Sequence, residues 1–350
     1  MSATYSLFRP RSMSTLATRW STNVRAECQS TTSHAIHGAP TEYHTPVMGR
    51  EVVDVLASVG EGVVIDATLG GGGHSALLLA ANPHLRVLGI DRDPDARAQA
   101  TKVLAPFAGR FLICSATFAD IAEVVADSAS WINGAPIVGV LMDLGVSSFQ
   151  LDNGERGFSF RADAPLDMRM DQTTGLTAAE YIATADLDAF TALLRANGKD
   201  RFAFAIAKSV LASRPQTTNE LSSAVERVVP MAARRKGHVA TRVFQALRIA
   251  VNDEMVQLER GLTGALQVLS PNGVLYVISY HSGEDRMVKS TFHHWATGGC
   301  TCPHELGCVC GAVPSATVDR ASAQLASDAE ISQNPRARSA RVRIARKVAS

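Results

Sequence analysis

Apolar positions along the chain follow two rhythms, and the change between them divides it. Up to residue 143, short unbroken apolar runs alternate with stretches whose apolar residues recur every three or four positions. An amphipathic helix is predicted over Gly49 to Ala57. Strands are predicted over Val63 to Asp66, Leu85 to Asp91, Arg110 to Cys114 and Ile137 to Asp143. Apolar runs without polar interruption mark strands covered on both faces, so the pattern predicts an α/β fold with a parallel, doubly wound sheet.

From residue 144 the strand signals stop for more than a hundred residues. Thr177-Ala178-Ala179-Glu180 and Thr217-Thr218-Asn219-Glu220 are capping boxes that open helices, and Asp200 to Ala212 and Val239 to Val268 carry helical spacing. The sheet resumes at Gly273 to Tyr280. Arg341 and Arg343 alternate with Val342 and Ile344, which predicts a final strand with one basic face. Residues 43–143 and 256–350 are thus expected to form the sheet domain, and 144–255 an all-helical insertion placed as a cap over the ligand-binding edge.

Composition changes this picture mainly at the N-terminus. In residues 1–42, Arg9, Arg11, Arg19 and Arg25 sit among many Ser and Thr, and Glu27 is the only acid before Glu42. This is the composition of a disordered extension, whether a mitochondrial transit peptide or the product of an upstream start. Elsewhere the 46% hydrophobic content is ample for a core. The net charge of +1 leaves any attraction for nucleic acid to local patches. No apolar run approaches the roughly 18 residues of a membrane span, so no membrane association is expected.

Candidate chemistry gathers at strand ends. Val63 to Ser75 reads as a strand, a tight turn and a helix start, in which Asp66, Gly70 and Gly72 fit D-x-x-x-G-x-G. An acid before the glycines suits S-adenosylmethionine better than a dinucleotide pyrophosphate, and glycines allow a ligand close to main-chain amides. Asp91 ends the next strand about 20 residues on, where a carboxylate meets ribose hydroxyls. It is equally placed to cap the helix ahead of Pro94. Phe118, after the third strand, is either a core residue or an adenine contact. His74 could cap its helix, and His281 is either a surface residue or a group facing a substrate.

Four of the six cysteines form C-x-C-x5-C-x-C, at Cys300, Cys302, Cys308 and Cys310. This is not the spread of a disulfide framework, and both zinc and free thiols remain open, with no metal assigned to the catalytic site. Asn334 to Lys347 holds six basic residues and no acid. It suits either RNA phosphates or a charged edge strand.

Several long strings resemble the RsmH (MraW) family. They are Asp66-Ala-Thr-Leu-Gly-Gly-Gly-Gly-His74, Asp91-Arg-Asp-Pro94, Asp143-Leu-Gly-Val-Ser-Ser148, Arg156-Gly-Phe-Ser-Phe160, Pro165-Leu-Asp-Met-Arg-Met-Asp171, Thr241-Arg-Val-Phe-Gln-Ala-Leu-Arg248 and Asn334-Pro-Arg-Ala-Arg-Ser339. The resemblance implies a Rossmann-like, S-adenosylmethionine-dependent methyltransferase sheet with an inserted helical domain. It implies methylation of N4 of a cytidine in the decoding region of small-subunit ribosomal RNA, within the 30S particle, in the bacterial cytoplasm, or in the mitochondrial matrix if residues 1–42 are a transit peptide. It further implies cofactor contacts at Gly72, Gly73, His74, Asp91, Phe118, Asp143 and Gln150. Lys199, Val239 and Gly283 stand where the family usually shows other residues.

Asp143 is the candidate catalytic residue. Cytosine N4 is a poor nucleophile because its lone pair is delocalised into the ring, so an acceptor must hold its N–H groups and aim the lone pair. Other amino-methyltransferases place Asp or Asn at this strand end in Asp/Asn-Pro-Pro-Tyr, whereas Asp143-Leu-Gly-Val lacks the prolines and the aromatic. Attack through C5 needs a nucleophilic cysteine, and no Pro-Cys pair lies near the fourth strand. The rival class is a non-catalytic RNA-binding or assembly factor retaining the fold, against which the intact Gly72, Gly73, Asp91 and Asp143 argue. A Rossmann oxidoreductase is disfavoured by the acid ahead of the glycines.

Overall fold

The computed structural model describes residues 27–29, 46–146, 154–160, 162–198, 201–234, 239–303, 309–319 and 323–349. The chain divides into two compact units, one containing Ser148–Glu254 and the other Arg25–Ser147 with Met255–Ser350.

The second unit is built on a nine-stranded sheet. Its strands are β1 (Glu27–Gln29), β2 (Gly62–Asp66), β3 (Leu85–Asp91), β4 (Phe111–Ser115), β5 (Ile137–Asp143), β6 (Val274–Ser279), β7 (Ala316–Val318), β8 (Gln324–Leu325) and β9 (Arg341–Lys347). Their order is β1-β4-β3-β2-β5-β6-β9-β7, with β8 also on β9. The five strands from β4 to β6 run parallel. Every residue of β2 and β6 is buried, as the unbroken apolar runs require.

Alternate residues feed the two faces. On one, Val63, Ile65, Val140 and Met142 pack with Leu258 and Leu262 of the helix Glu254–Val268 and with Phe292 of the helix Ser282–Thr297. On the other, Val64, Leu141 and Tyr276 meet Val52 and Leu56 of α1 (Gly49–Leu56) and Leu78 of α2 (Gly73–Ala81). Strand order reverses between β2 and β5, the place where open α/β sheets bind ligands. Among the described residues no helix is long and apolar enough to cross a membrane.

The helical unit has its own core, in which Phe190, Ile206, Val210, Leu221, Phe244 and Leu247 are buried. The Thr177 capping box is present with both bonds, and Thr217 caps its helix through the Glu220 amide. Several family-like strings are structural here. The buried Arg156 donates to the Met170 carbonyl at 2.8 Å. Asn252 joins the same segment by donating to Met168 O at 2.8 Å and accepting from Met170 N at 2.9 Å.

Three expectations change. The helical pattern from Val239 to Val268 is two helices, Val239–Val251 and Glu254–Val268, broken where Asp253 turns to a φ of 50°. Inside the expected N-terminal extension, Glu27–Gln29 joins the sheet as antiparallel β1, with Cys28 opposite Cys114 and bonded to it by a disulfide. A three-residue strand held by a cross-link leaves no periodic trace in sequence. The other residues of that extension lie outside the described ones.

The third change concerns β9, which forms as a strand but is not a free basic edge. It lies between β6 and β7. Arg343 is buried and donates from Nε to Asp285 at 2.7 Å, and Arg346 pairs with Asp319 at 3.3 Å. Lys347 donates to the carbonyls of Gln267 and Leu269 at 3.1 and 2.7 Å, where a cation suits a helix C-terminus. These charges hold the sheet together. Replacing Arg343 by Ala leaves the Asp285 carboxylate with the half-exposed Arg341, 3.8 Å away, and is expected to cost roughly 3 kcal/mol, whereas Arg341→Ala costs under about 1 kcal/mol. Urea unfolding of both variants checks this, and an unchanged midpoint for Arg343→Ala would show the pair to be dispensable.

Candidate active site

The turn after β2 is shaped from within. The Asp66 side chain is buried and accepts from Ser75 Oγ at 2.6 Å, which ties the strand end to the first turn of α2. Burial raises its pKa, against the opposing pull of His74 and Ser75. Gly72 caps α2 with a φ of 82°, and a Cβ there would lie 3.1 Å from that of Ala100. A Cβ on Gly73 would lie 2.8 Å from Cγ of Pro46. Both glycines are therefore demanded by the packing of α2 against the protein itself, a reason beyond ligand approach.

Asp91 ends β3 and is not the helix cap. That role belongs to Asp93, which accepts from Asp95 N at 3.0 Å at the start of α3 (Pro94–Leu104). The Asp91 carboxylate instead accepts from Gly70 N and Asp93 N, each at 2.8 Å. One oxygen is thus fixed by the glycine turn and the other by the chain leaving the strand. Each keeps a lone pair for a further donor. Burial pushes the pKa up to about 6.

Asp143 lies at the matching end of β5. Its amide donates to Thr68 Oγ1 at 2.6 Å, so the strand end is tied to the turn that follows Asp66. Its Oδ1 accepts from the Tyr280 hydroxyl at 2.6 Å. Its Oδ2 lies 3.8 Å from His74 Nδ1, too far for a hydrogen bond. His74 is buried, and its Nε2 is 2.9 Å from Val47 O, so that nitrogen carries the proton. The other ring nitrogen, Nδ1, faces the carboxylate. Burial raises the Asp143 pKa to about 6, with His74 and the Tyr280 bond pulling against it and Asp66 adding to the rise.

Tyr280 was not legible in sequence. It follows β6, and the β5–β6 register sets Asp143 beside Ile278, so the tyrosine comes from the neighbouring strand end. Its phenol is pushed well above its ordinary pKa by burial and by Asp143, so the hydroxyl remains a donor.

Other expected residues take different places. Phe118 packs at the margin of the core against Gly261, where a Cβ would lie 2.6 Å from its ring. His281 caps the helix Ser282–Thr297 through Nδ1, in a capping box with Glu284, and Gly283 donates to it at 3.2 Å. Gln150, Lys199 and Cys308 lie outside the described residues.

Beside this geometry stand the relatives. The sequence model of the MraW methylase family matches residues 41–348. The chain belongs to the MraW methylase family. A ribosomal RNA small subunit methyltransferase H from Symbiobacterium thermophilum is 46% identical over 308 residues, which cover 86% of this chain and 95% of the relative. One of the same name from Heliobacterium modesticaldum is 44% identical over 313 residues, covering 87% and 99%. Membership spans both units, so the MraW strings in the helical unit and those at the strand ends belong to one protein family.

The Asp143 environment has a consequence for stability. Folding raises its pKa from 3.8 to about 6, so the folded state favours the protonated form. That preference stabilises the fold below about pH 4 and is lost as pH rises through about 6. Asp143→Asn removes the charge and keeps an acceptor for Tyr280. Its thermal midpoint is expected to exceed that of the parent at about pH 8, with the gap closing toward about pH 4. Differential scanning calorimetry across that range checks it, and a gap independent of pH would mean the buried charge is not what costs stability.

Proposed function

We propose that this chain transfers a methyl group from S-adenosylmethionine to N4 of a cytidine in the decoding region of small-subunit ribosomal RNA, within the 30S particle, in the bacterial cytoplasm. The observation that carries the reading is the Asp143 carboxylate at the strand-order reversal, held by Tyr280 on one oxygen and facing His74 with the other. The name shared by the relatives, ribosomal RNA small subunit methyltransferase H, supports the substrate class.

The residues fit the cofactor. Asp91, fixed by two main-chain amides with lone pairs to spare, is suited to ribose hydroxyls. Gly72, Gly73 and His74 form the α2 start beside it, and we assign Phe118 to the adenine and Gln150 to the remaining contacts. Bound S-adenosylmethionine supplies an electrophilic methyl group.

The chain's own residues then act on the amine. Tyr280 holds Oδ1 of Asp143, which fixes the carboxylate plane and leaves Oδ2 to accept an N–H from the cytosine amino group. Drawing that N–H toward the carboxylate localises the nitrogen lone pair. So aimed, the nitrogen would take the methyl group that bound S-adenosylmethionine supplies and give up one proton. A carboxylate with a pKa near 6 is well matched to hold that proton near neutral pH. We assign the helical unit to the RNA, since the chain enters it at Ser148, five residues after Asp143, and leaves it at Glu254.

A non-catalytic assembly factor would have little use for Asp91 and Asp143, each with its pKa raised by burial at a cost to stability. A C5 mechanism needs a nucleophilic cysteine, and Cys114, the one cysteine on the five parallel strands, is bonded to Cys28. The test is methyl transfer to small ribosomal subunits isolated from cells lacking the protein, followed by mass analysis of the nucleosides. N4-methylcytidine at a single decoding-region position is expected. Label at C5, or no transfer to RNA in any subunit preparation, would reject the reading.

A further inference from the structure

We propose that Cys300, Cys302 and Cys310 form a structural zinc site that closes the loop between the helix Ser282–Thr297 and β7. Their sulfurs all lie within 4.8 Å of one another. Thiolates around zinc sit about 2.3 Å from the metal, which in a tetrahedron places them about 3.8 Å apart. Only a small contraction separates the two arrangements. None of the three is in a disulfide.

The loop is built to hold that geometry. It leaves the helix through Gly298 and Gly299, with φ of 61° and 75°, and turns again at Gly311, with φ of 69°, immediately after Cys310. Gly299 N donates to His294 O at 2.9 Å, Cys300 N to Thr297 O at 3.1 Å, and Ser315 N returns to Trp295 O at 2.9 Å. A Cβ on Gly298 would lie 2.6 Å from the Val313 carbonyl, so the outgoing and returning strands touch at the neck. Cys300 and Cys302 are thereby set opposite Cys310.

Beyond the neck the described part of the loop is irregular and mostly exposed. Its described residues form no helix or strand, and Val309 and Val313 are 85% and 79% exposed. A segment without an apolar core is where a metal staple contributes most. Binding replaces three S–H protons with the metal ion, the protons passing to solvent, and a fourth donor completes the tetrahedron. The site is remote in sequence from Asp91 and Asp143 and supplies no group to the methyl transfer.

The test is elemental analysis of the full chain purified without chelator, beside variants Cys302→Ser, Cys310→Ser and the triple Ser replacement. About one zinc per chain is expected in the parent, a marked loss in each single variant and none in the triple variant. Cobalt substitution should give the thiolate charge-transfer and visible bands of a tetrahedral site in the parent only. S-Adenosylmethionine affinity should be equal in all four proteins, which shows the variants are folded and separates this site from the catalytic one. Zinc near zero in the parent with all three thiols freely titratable, a disulfide among them, or full zinc retained by the triple variant would each overturn the proposal.

Discussion

A parallel sheet covered on both faces has no place for a charge except at the ends of its strands, and the site is built on that constraint. Asp66, Asp91 and Asp143 end β2, β3 and β5, three neighbours around the reversal of strand order. Each carboxylate is anchored before any ligand arrives: Asp66 by Ser75, Asp91 by the Gly70 and Asp93 amides, Asp143 by Tyr280. These bonds are made to the turns that leave the strands, so the acids shape the loops that in turn place them. Asp66 illustrates the economy, since it orders the turn whose Thr68 accepts the Asp143 amide.

Desolvation is the cost of this arrangement. Asp91 and Asp143 are both pushed up to about 6, and the hydrogen bonds they accept do not cancel the effect of burial. A fold selected for stability alone would replace them. In the proposed mechanism, the same shift that weakens the fold brings Asp143 into the range where it can hold a proton from an amine.

Much of this was legible in sequence. Unbroken apolar runs gave the parallel strands nearly to the residue, because burial on both faces leaves no polar interruption. The acids were legible because they terminate those runs. What escaped depends on contacts between distant segments. Tyr280 meets Asp143 only through the β5–β6 register. The arginines of β9 alternate as an exposed basic face would, yet Arg343 is claimed by Asp285, 58 residues upstream. Glu27–Gln29 is too short to carry a pattern and is joined to the sheet through Cys114. Gly72 and Gly73 looked like ligand glycines, while the neighbours that exclude a side chain, Ala100 and Pro46, come from outside the motif.

The account turns on Asp143 as a participant in the chemistry and not merely a wall of the cofactor site. The most direct measurement is single-turnover methylation of small ribosomal subunits at saturating S-adenosylmethionine, with cofactor affinity determined separately, for the parent, Asp143→Ala and Tyr280→Phe. Loss of a preorganised acceptor should slow the Ala variant by about a hundredfold to a thousandfold, with Tyr280→Phe intermediate and cofactor affinity changed far less. An Ala variant that regains the parent's turnover rate once the cofactor saturates would contradict the account and leave Asp143 as a binding residue.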